Sequence, residues 1–215
     1  MEPVSEANES AKLAVGLRER KKLQTREALE GAALDLFDRQ GFERTTIEEI
    51  AYACDVSPRT FFRYFANKEA VLFLDADEKR AELVARLMAR PAGEPPLQSI
   101  RAGVTDTVAA LELDRERVRT RSRIMAASPT LQNHRIQIEQ SWDDALLDAL
   151  LARRKRSAGG PTRFELRLVA STATAALRAA LATWLDEGGS LVKRVDAAFA
   201  AISRGLGDVG AAPAN

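Results

Sequence analysis

The chain has 215 residues, 46% of them apolar and 29% charged, with 32 basic against 31 acidic side chains and a formal net charge of +1. That apolar share supports a real core and excludes disorder as a description of the whole chain. The near-cancellation of charge excludes any argument for nucleic-acid binding from bulk charge, so such binding must rest on where the basic residues stand.

The N-terminal stretch MEPVSEANESAK, within residues 1–17, is polar and acidic. Residues 1–17 read as a disordered tail and not as a secretory signal. From Arg18 the charge reverses: Arg18, Arg20, Lys21, Lys22 and Arg26 face only Glu19 before Glu27. A first helix follows, with Leu29, Ala32, Ala33, Leu36 and Phe37 at i, i+3, i+4, i+7 and i+8 and Gly41 closing it. Thr46 with Glu49 makes a capping-box pattern that opens a short second helix ending near Ala53. Cys54, Asp55 and Val56 form a turn. Ser57 then caps a third helix whose first residue, Pro58, lacks an N–H that a helix start does not use. Two short helices joined by such a turn read as a helix-turn-helix, the first supporting and residues 58–65 reading. Arg59, Thr60, Arg63 and Tyr64 supply the polar reach of this segment; Phe61, Phe62 and Phe65 supply aromatic mass.

Asn67 caps a long fourth helix running to about Arg90, and Pro91 to Pro96 break it. Leu97, Ile100, Val104, Val108 and Leu111 stripe the next helix. A helix from about Asp114 to Ala127 follows, and Ser128–Pro129 starts another, lined by Ile138, Trp142 and Leu146. That one ends in the run Arg153 to Arg156, read as a solvated helix end. After a loop at 157–161, residues 164–186 are crowded with alanines, and Leu191, Val195, Phe199 and Ile202 stripe the last helix. Runs of alternating β-branched residues are missing. The prediction is an all-α chain: a helix-turn-helix domain over 18–68, a helical bundle for ligand binding and dimerisation over 69–208, and a flexible tail over 209–215. No apolar run reads as long enough to span a bilayer, which places the chain in the cytoplasm.

Cys54 and His134 are the only cysteine and histidine. A disulfide within the chain, a Cys–His pair and a cysteine-based metal site therefore find no support, and no glycine-rich phosphate loop is present. The expectation is a protein that is not an enzyme and takes no metal or cofactor.

The stretch TREALEGAALDLFDRQGFERTTIEEIAYACDVSPRTFFRYFANKEAVL, Thr25 to Leu72, resembles the N-terminal domain of TetR-type transcriptional regulators without a gap. The resemblance implies a helical homodimer, paired through the last two helices at about 162–186 and 190–206, that binds a palindromic operator. It also implies a small-molecule effector held by the C-terminal bundle. The GLRERKK lead-in, the SPRTFFRYF variant, the arginine-rich helix before Ser128–Pro129 and the placement of Trp142 and Trp184 are similar to a subgroup with an acyl-CoA-like ligand-binding domain, found in mycofactocin-type regulators. One departure is Cys54, in a turn where a small residue, often glycine, is usual.

By that resemblance Thr45 and Thr46 touch operator phosphates, Lys68 is a second phosphate clamp, and Tyr64 sets its hydroxyl on the backbone. Arg59 and Thr60 read base edges, Arg59 binding a guanine bidentately. Ser57, Pro58 and Arg63 complete the DNA-facing set. Phe61 either touches a thymine methyl or packs inward; Phe62 and Phe65 hold the helix to its domain. Arg18, Arg20, Lys21 and Lys22 track phosphates or enter a minor groove, although such a run also reads as a solvated arm. Among the alternating arginines 115 to 123, which spread around a helix, Arg119 or Arg123 is the candidate to meet an anionic ligand group. Trp142, Leu146, Leu177 and Trp184 are pocket wall or core. The expected function is a repressor released from its operator by a small apolar or amphipathic ligand. A DNA-binding dimer without an effector, controlled by abundance or by a protein partner, is the alternative.

Overall fold

The computed structural model describes residues 4–73, 76–154 and 160–205, and among these every regular element is helical. The chain divides into two compact units. Among the described residues, 4–73 and 123–129 make the first; 76–122, 130–154 and 160–205 make the second.

The first unit contains α1 (Val4–Gln40), α2 (Ile47–Ala53), α3 (Pro58–Phe62) and a 3-10 turn (Glu69–Val71). Leu29, Ala33, Leu34 and Phe37 on α1 are buried, as are Ile50 and Ala51 of α2, Phe61 of α3, Val71 of the 3-10 turn, and Phe42, Phe65 and Leu72 of the connections; α1 packs on α2 and on the 3-10 turn, and α2 on α3. Gly41, at φ +88°, ends α1 by donating its N–H to Phe37 O at 3.0 Å, a conformation that a side chain would disfavour. Two expectations change here. The segment read as a disordered tail is helical from Val4 onward. Between Glu6 and Lys22 it consists largely of good helix formers, with no proline after Pro3. The long fourth helix does not run unbroken from Asn67: Asn67 Oδ1 accepts from Ala70 N at 2.8 Å and caps only the 3-10 turn, and α4 starts at Ala76.

The last turn of α6 (Arg115–Ala127) and Ser128 also belong to this first unit. Arg123 forks onto the Asp38 carboxylate at 3.0 and 2.8 Å. The buried Ser128 hydroxyl donates to the Glu43 carboxylate, and that hydrogen bond holds Glu43 below the usual carboxylate range.

The second unit is built from α4 (Ala76–Ala89), α5 (Pro96–Glu112), the first turns of α6, α7 (Pro129–Arg154), α8 (Arg163–Glu187) and α9 (Leu191–Arg204). α5 packs on α4, α8 and α9, and α8 packs on α9. Ala170, Ala173, Ala176 and Ala180 lie buried along α8, where small side chains let neighbouring helices come close. Trp184 is fully enclosed, its indole N–H donating to Gly189 O at 3.1 Å. Arg115 donates to the Trp184 and Leu185 carbonyls at 3.0 Å and lies over the indole, so it caps the C-terminus of α8. By length and composition α8 could cross a bilayer, so the expectation that no segment could is corrected.

Arg153 is not part of a solvated helix end. It is 3% exposed and donates to the carbonyls of Leu87 and Pro91 and to the Ser99 hydroxyl. Leu87 stands in the final turn of α4 and Pro91 just beyond it; each carbonyl accepts one backbone N–H, and Arg153 adds a second donor to each from α7. Lys155 and Arg156 lie outside the described residues. Beside it, Arg90 forks onto Glu94, which also accepts from Ser99 Oγ at 2.8 Å. These contacts, Arg90 first, lower the Glu94 carboxyl from its ordinary 4.5 to about 2. A carboxyl with a depressed folded pKa contributes its stability above the unfolded pKa and loses it as pH falls toward the folded one. Glu94→Gln is therefore expected to melt below the native protein at neutral pH, and the gap should close between pH 4.5 and about 2. Calorimetric melts across that range check it, and a gap independent of pH would refute the assignment.

Candidate nucleic-acid interface

The sequence builds this surface from two capped helix starts. Thr46 is the N-cap of α2: its hydroxyl accepts from Glu49 N at 3.2 Å while Thr46 N donates back to the Glu49 carboxylate at 2.8 Å. Gln40 adds a donor to the same carboxylate at 3.1 Å. These hydrogen bonds, led by the Thr46 backbone N–H, hold Glu49 ionised below its usual range. α2 ends at Cys54, and the turn closes with Val56 N donating to Ala51 O at 3.0 Å. The left-handed position of this turn is Asp55, at φ 53°, and not Cys54, which keeps a negative φ. Aspartate is among the few residues that adopt that region readily, so the turn tolerates a bulkier Cys54.

Ser57 opens α3, accepting from Thr60 N at 3.2 Å, with Pro58 at the first helical position. Ser57, Pro58, Arg59, Phe62 and Arg63 are exposed along α3 and its end. Phe61 is 0% exposed; its ring meets Phe65 at 5.3 Å and Phe62 edge-on at 5.8 Å. Phe61 thus packs inward, which resolves the alternative left open for it and removes it from a DNA-facing role. Phe62, expected to be scaffolding, is 55% exposed. The physical reason is helical phase: on a five-residue helix anchored at Phe61 and Phe65, position 62 points away from the anchor.

Thr60 is half-buried, and its hydroxyl lies 3.0 Å from that of Ser57, so it completes the cap and does not project. Arg63 stacks over Tyr64 at 5.0 Å and donates to its hydroxyl at 3.1 Å, which draws both toward the end of the helix. Arg59 stands exposed at the start of the free face.

Two expected phosphate contacts take other positions. Thr45 is 1% exposed; its hydroxyl donates to Gly41 O at 2.9 Å and cannot reach a ligand. Lys68 donates to the carbonyls of Phe42, Glu43 and Thr45 at 2.7, 3.3 and 2.9 Å and lies over the Phe42 ring. An ammonium has three N–H groups, and these carbonyls engage all three. Lys68 therefore fastens the α1–α2 turn that presents Thr46, instead of standing in front of it. Sequence reasoning also missed Arg44, exposed beside Thr46, and Tyr52, 88% exposed on α2. Tyr52 lies off the Ile47, Ile50, Ala51 stripe, and a helical wheel would have found it.

Arg18, Arg20, Lys21 and Lys22 are exposed on α1. A helix with its side chains is about 10–12 Å across, whereas the minor groove is about 6 Å wide. The helix itself therefore cannot enter that groove, and only an extended side chain such as that of Arg18 or Arg20 could, the other course open to these cations being the phosphate backbone.

The residues named for a ligand do not form one set. Arg119 is exposed, and Arg123 lies in the first unit with its guanidinium on Asp38. Leu146 and Trp184 sit inside the second unit's core, with Trp142 and Leu177 packed on it.

Residues 31–73 match the family model for bacterial regulatory proteins of the tetR family, and residues 94–207 match the model for the MftR C-terminal domain. The HTH-type transcriptional regulator TcmR of Streptomyces glaucescens is 51% identical over 85 residues, 40% of this chain and 38% of TcmR, so that likeness spans well under half of the relative. MftR of Mycobacterium tuberculosis, a candidate mycofactocin biosynthesis transcriptional regulator, is 28% identical over 87% of this chain and 93% of its own. Among solved structures, FadR of Thermus thermophilus, a TetR-family repressor in complex with lauroyl-CoA, aligns with TM-score 0.54 and 24% identity, covering 88% of this chain and 98% of FadR. At that identity the likeness is one of fold.

Proposed function

This chain belongs to the TetR family of bacterial transcriptional regulators, with a C-terminal domain of the MftR type, and from that premise we propose that it is a cytoplasmic repressor released from a palindromic operator by a small apolar or amphipathic ligand. The observation that carries the reading is α3 itself. A five-residue helix pinned by Phe61 and Phe65 presents Arg59 and Phe62 outward, which suits a recognition helix in the major groove. Arg59 reads a base edge. Thr46, Tyr64 and the exposed cations of α1 hold phosphates, and Lys68 keeps the turn that presents Thr46 in place.

The active species proposed is a homodimer through α8 and α9. Phe164, at 76% exposed, and Leu168 stand uncovered on α8, with Ala179 and Ala182 further along the helix. A second copy would bury them, which also accounts for the apolar character of α8 without a membrane. A C2 dimer sets two reading helices about one DNA turn apart, ~34–36 Å. A ligand that binds the second unit better at another spacing lowers DNA affinity by that difference.

The ligand class proposed is a long acyl thioester, the class of molecule bound by FadR. Titrating lauroyl-CoA into a complex of the protein with a selected duplex, followed by fluorescence anisotropy, tests it. Release of the DNA at micromolar ligand is expected. A complex unmoved by acyl thioesters of any length would favour the effector-independent dimer.

A further inference from the structure

We infer that Phe62 is a sequence-reading residue, and that what it reads is the 5-methyl group of a thymine next to the base pair contacted by Arg59. The inference rests on the DNA-binding reading above and adds to it the base that the reading helix selects. α3 is so short that few side chains can reach a groove floor, and the structure accounts for most of them. Phe61 and Phe65 are buried. The Thr60 hydroxyl pairs with Ser57 in the cap. Arg63 is folded over the Tyr64 ring and bonded to its hydroxyl. Arg59 and Phe62 remain, three residues apart and therefore neighbours on one helical face.

Phe62 is the anomaly of that face, a large apolar ring 55% open to water between two arginines. Its orientation is nevertheless defined, since its ring stands at 90° to the buried Phe61, an edge-on arrangement that favours one placement. A phenyl ring can neither donate to nor accept from a base edge. The one apolar feature in the major groove is the thymine methyl, and it is the natural contact for such a side chain. Arg59 and Phe62 together would then select a guanine and a nearby thymine in each half-site.

The test starts from a random-duplex selection with the full-length native protein, followed by the same selection with Phe62→Ala. The native protein is expected to enrich a palindrome with a guanine and an adjacent thymine in each half. Phe62→Ala should keep the guanine and lose the thymine. Replacing that thymine by deoxyuridine, which lacks only the methyl, should weaken native binding about fourfold per half-site, the value of one buried methyl-sized group. Phe62→Ala should bind the thymine and deoxyuridine duplexes equally. The deoxyuridine experiment uses the native protein, so it stands even if the variant folds poorly. If the variant enriches the same thymine, or if deoxyuridine leaves native binding unchanged, Phe62 does not read the methyl. If the native protein enriches no sequence at all, the DNA-binding reading itself fails, a separate outcome.

Discussion

Phe61→Ala is expected to cost the first unit about 3–5 kcal/mol, the range for truncating a buried aromatic. Against a total stability of roughly 5–15 kcal/mol for a domain, that is a large fraction. The reason is local. α3 has five residues, too few to persist as a helix by itself, so it exists because its aromatic side chains hold it to the rest of the first unit, where it packs on α2. Phe61 is the innermost of them, fully buried and in ring contact with both Phe62 and Phe65. Its loss should lower the melting temperature of the first unit and expose the 54–65 segment to protease, with DNA affinity lost as a consequence. Differential scanning calorimetry with limited proteolysis measures both. A melting temperature within two or so degrees of native, the shift that well under 1 kcal/mol produces in a small domain, would mean that the helix is held by something other than its aromatics.

Arg59→Ala should leave folding untouched and remove specific recognition. The side chain is exposed and bonds to no described residue that its removal would orphan, so stability should hold within about 0.5 kcal/mol. A bidentate arginine–guanine contact is worth about 1–3 kcal/mol of discrimination, and a dimer makes it twice. Specific affinity should therefore fall by roughly 30-fold or more, while binding to unrelated duplex changes little. The comparison has to be made at one fixed salt concentration, because the phosphate contribution varies steeply with ionic strength. Alanine at Arg18 and Lys22 makes a contrast: weaker binding to every duplex alike and a shallower salt dependence, as expected for phosphate contacts. If Arg59→Ala keeps native affinity and preference for its selected duplex, the base-reading role of that residue is wrong.

The motif that sequence could carry was carried by local chemistry. Caps, a proline at a helix start and a turn between two short helices are set by neighbouring residues, and Thr46, Glu49, Ser57 and Pro58 fold as their order predicts. Periodicity likewise placed Leu29, Ala33 and Phe37, and Leu191, Val195 and Phe199, in their cores. What failed needed partners distant in the chain. Lys68 reads as a free cation until the α1–α2 turn, twenty-three or more residues earlier, brings three carbonyls to its ammonium. Arg153 reads as a solvated helix end until the end of α4 and the turn after it bring the Leu87 and Pro91 carbonyls to its guanidinium. Arg123 reads as a ligand arginine until Asp38 meets it from α1.

Sequence by itself determined that this chain is helical, that its N-terminal part holds a helix-turn-helix, and which short segment forms the second helix of that motif, because those properties lie in spacings of three and four residues. Only the tertiary structure decided which phenylalanine of that segment is anchor and which is exposed, and which cations stay exposed. Exposure and hydrogen bonding belong to what packs alongside a residue, and three aromatics in five positions can be told apart only once the rest of the domain has claimed the inner two.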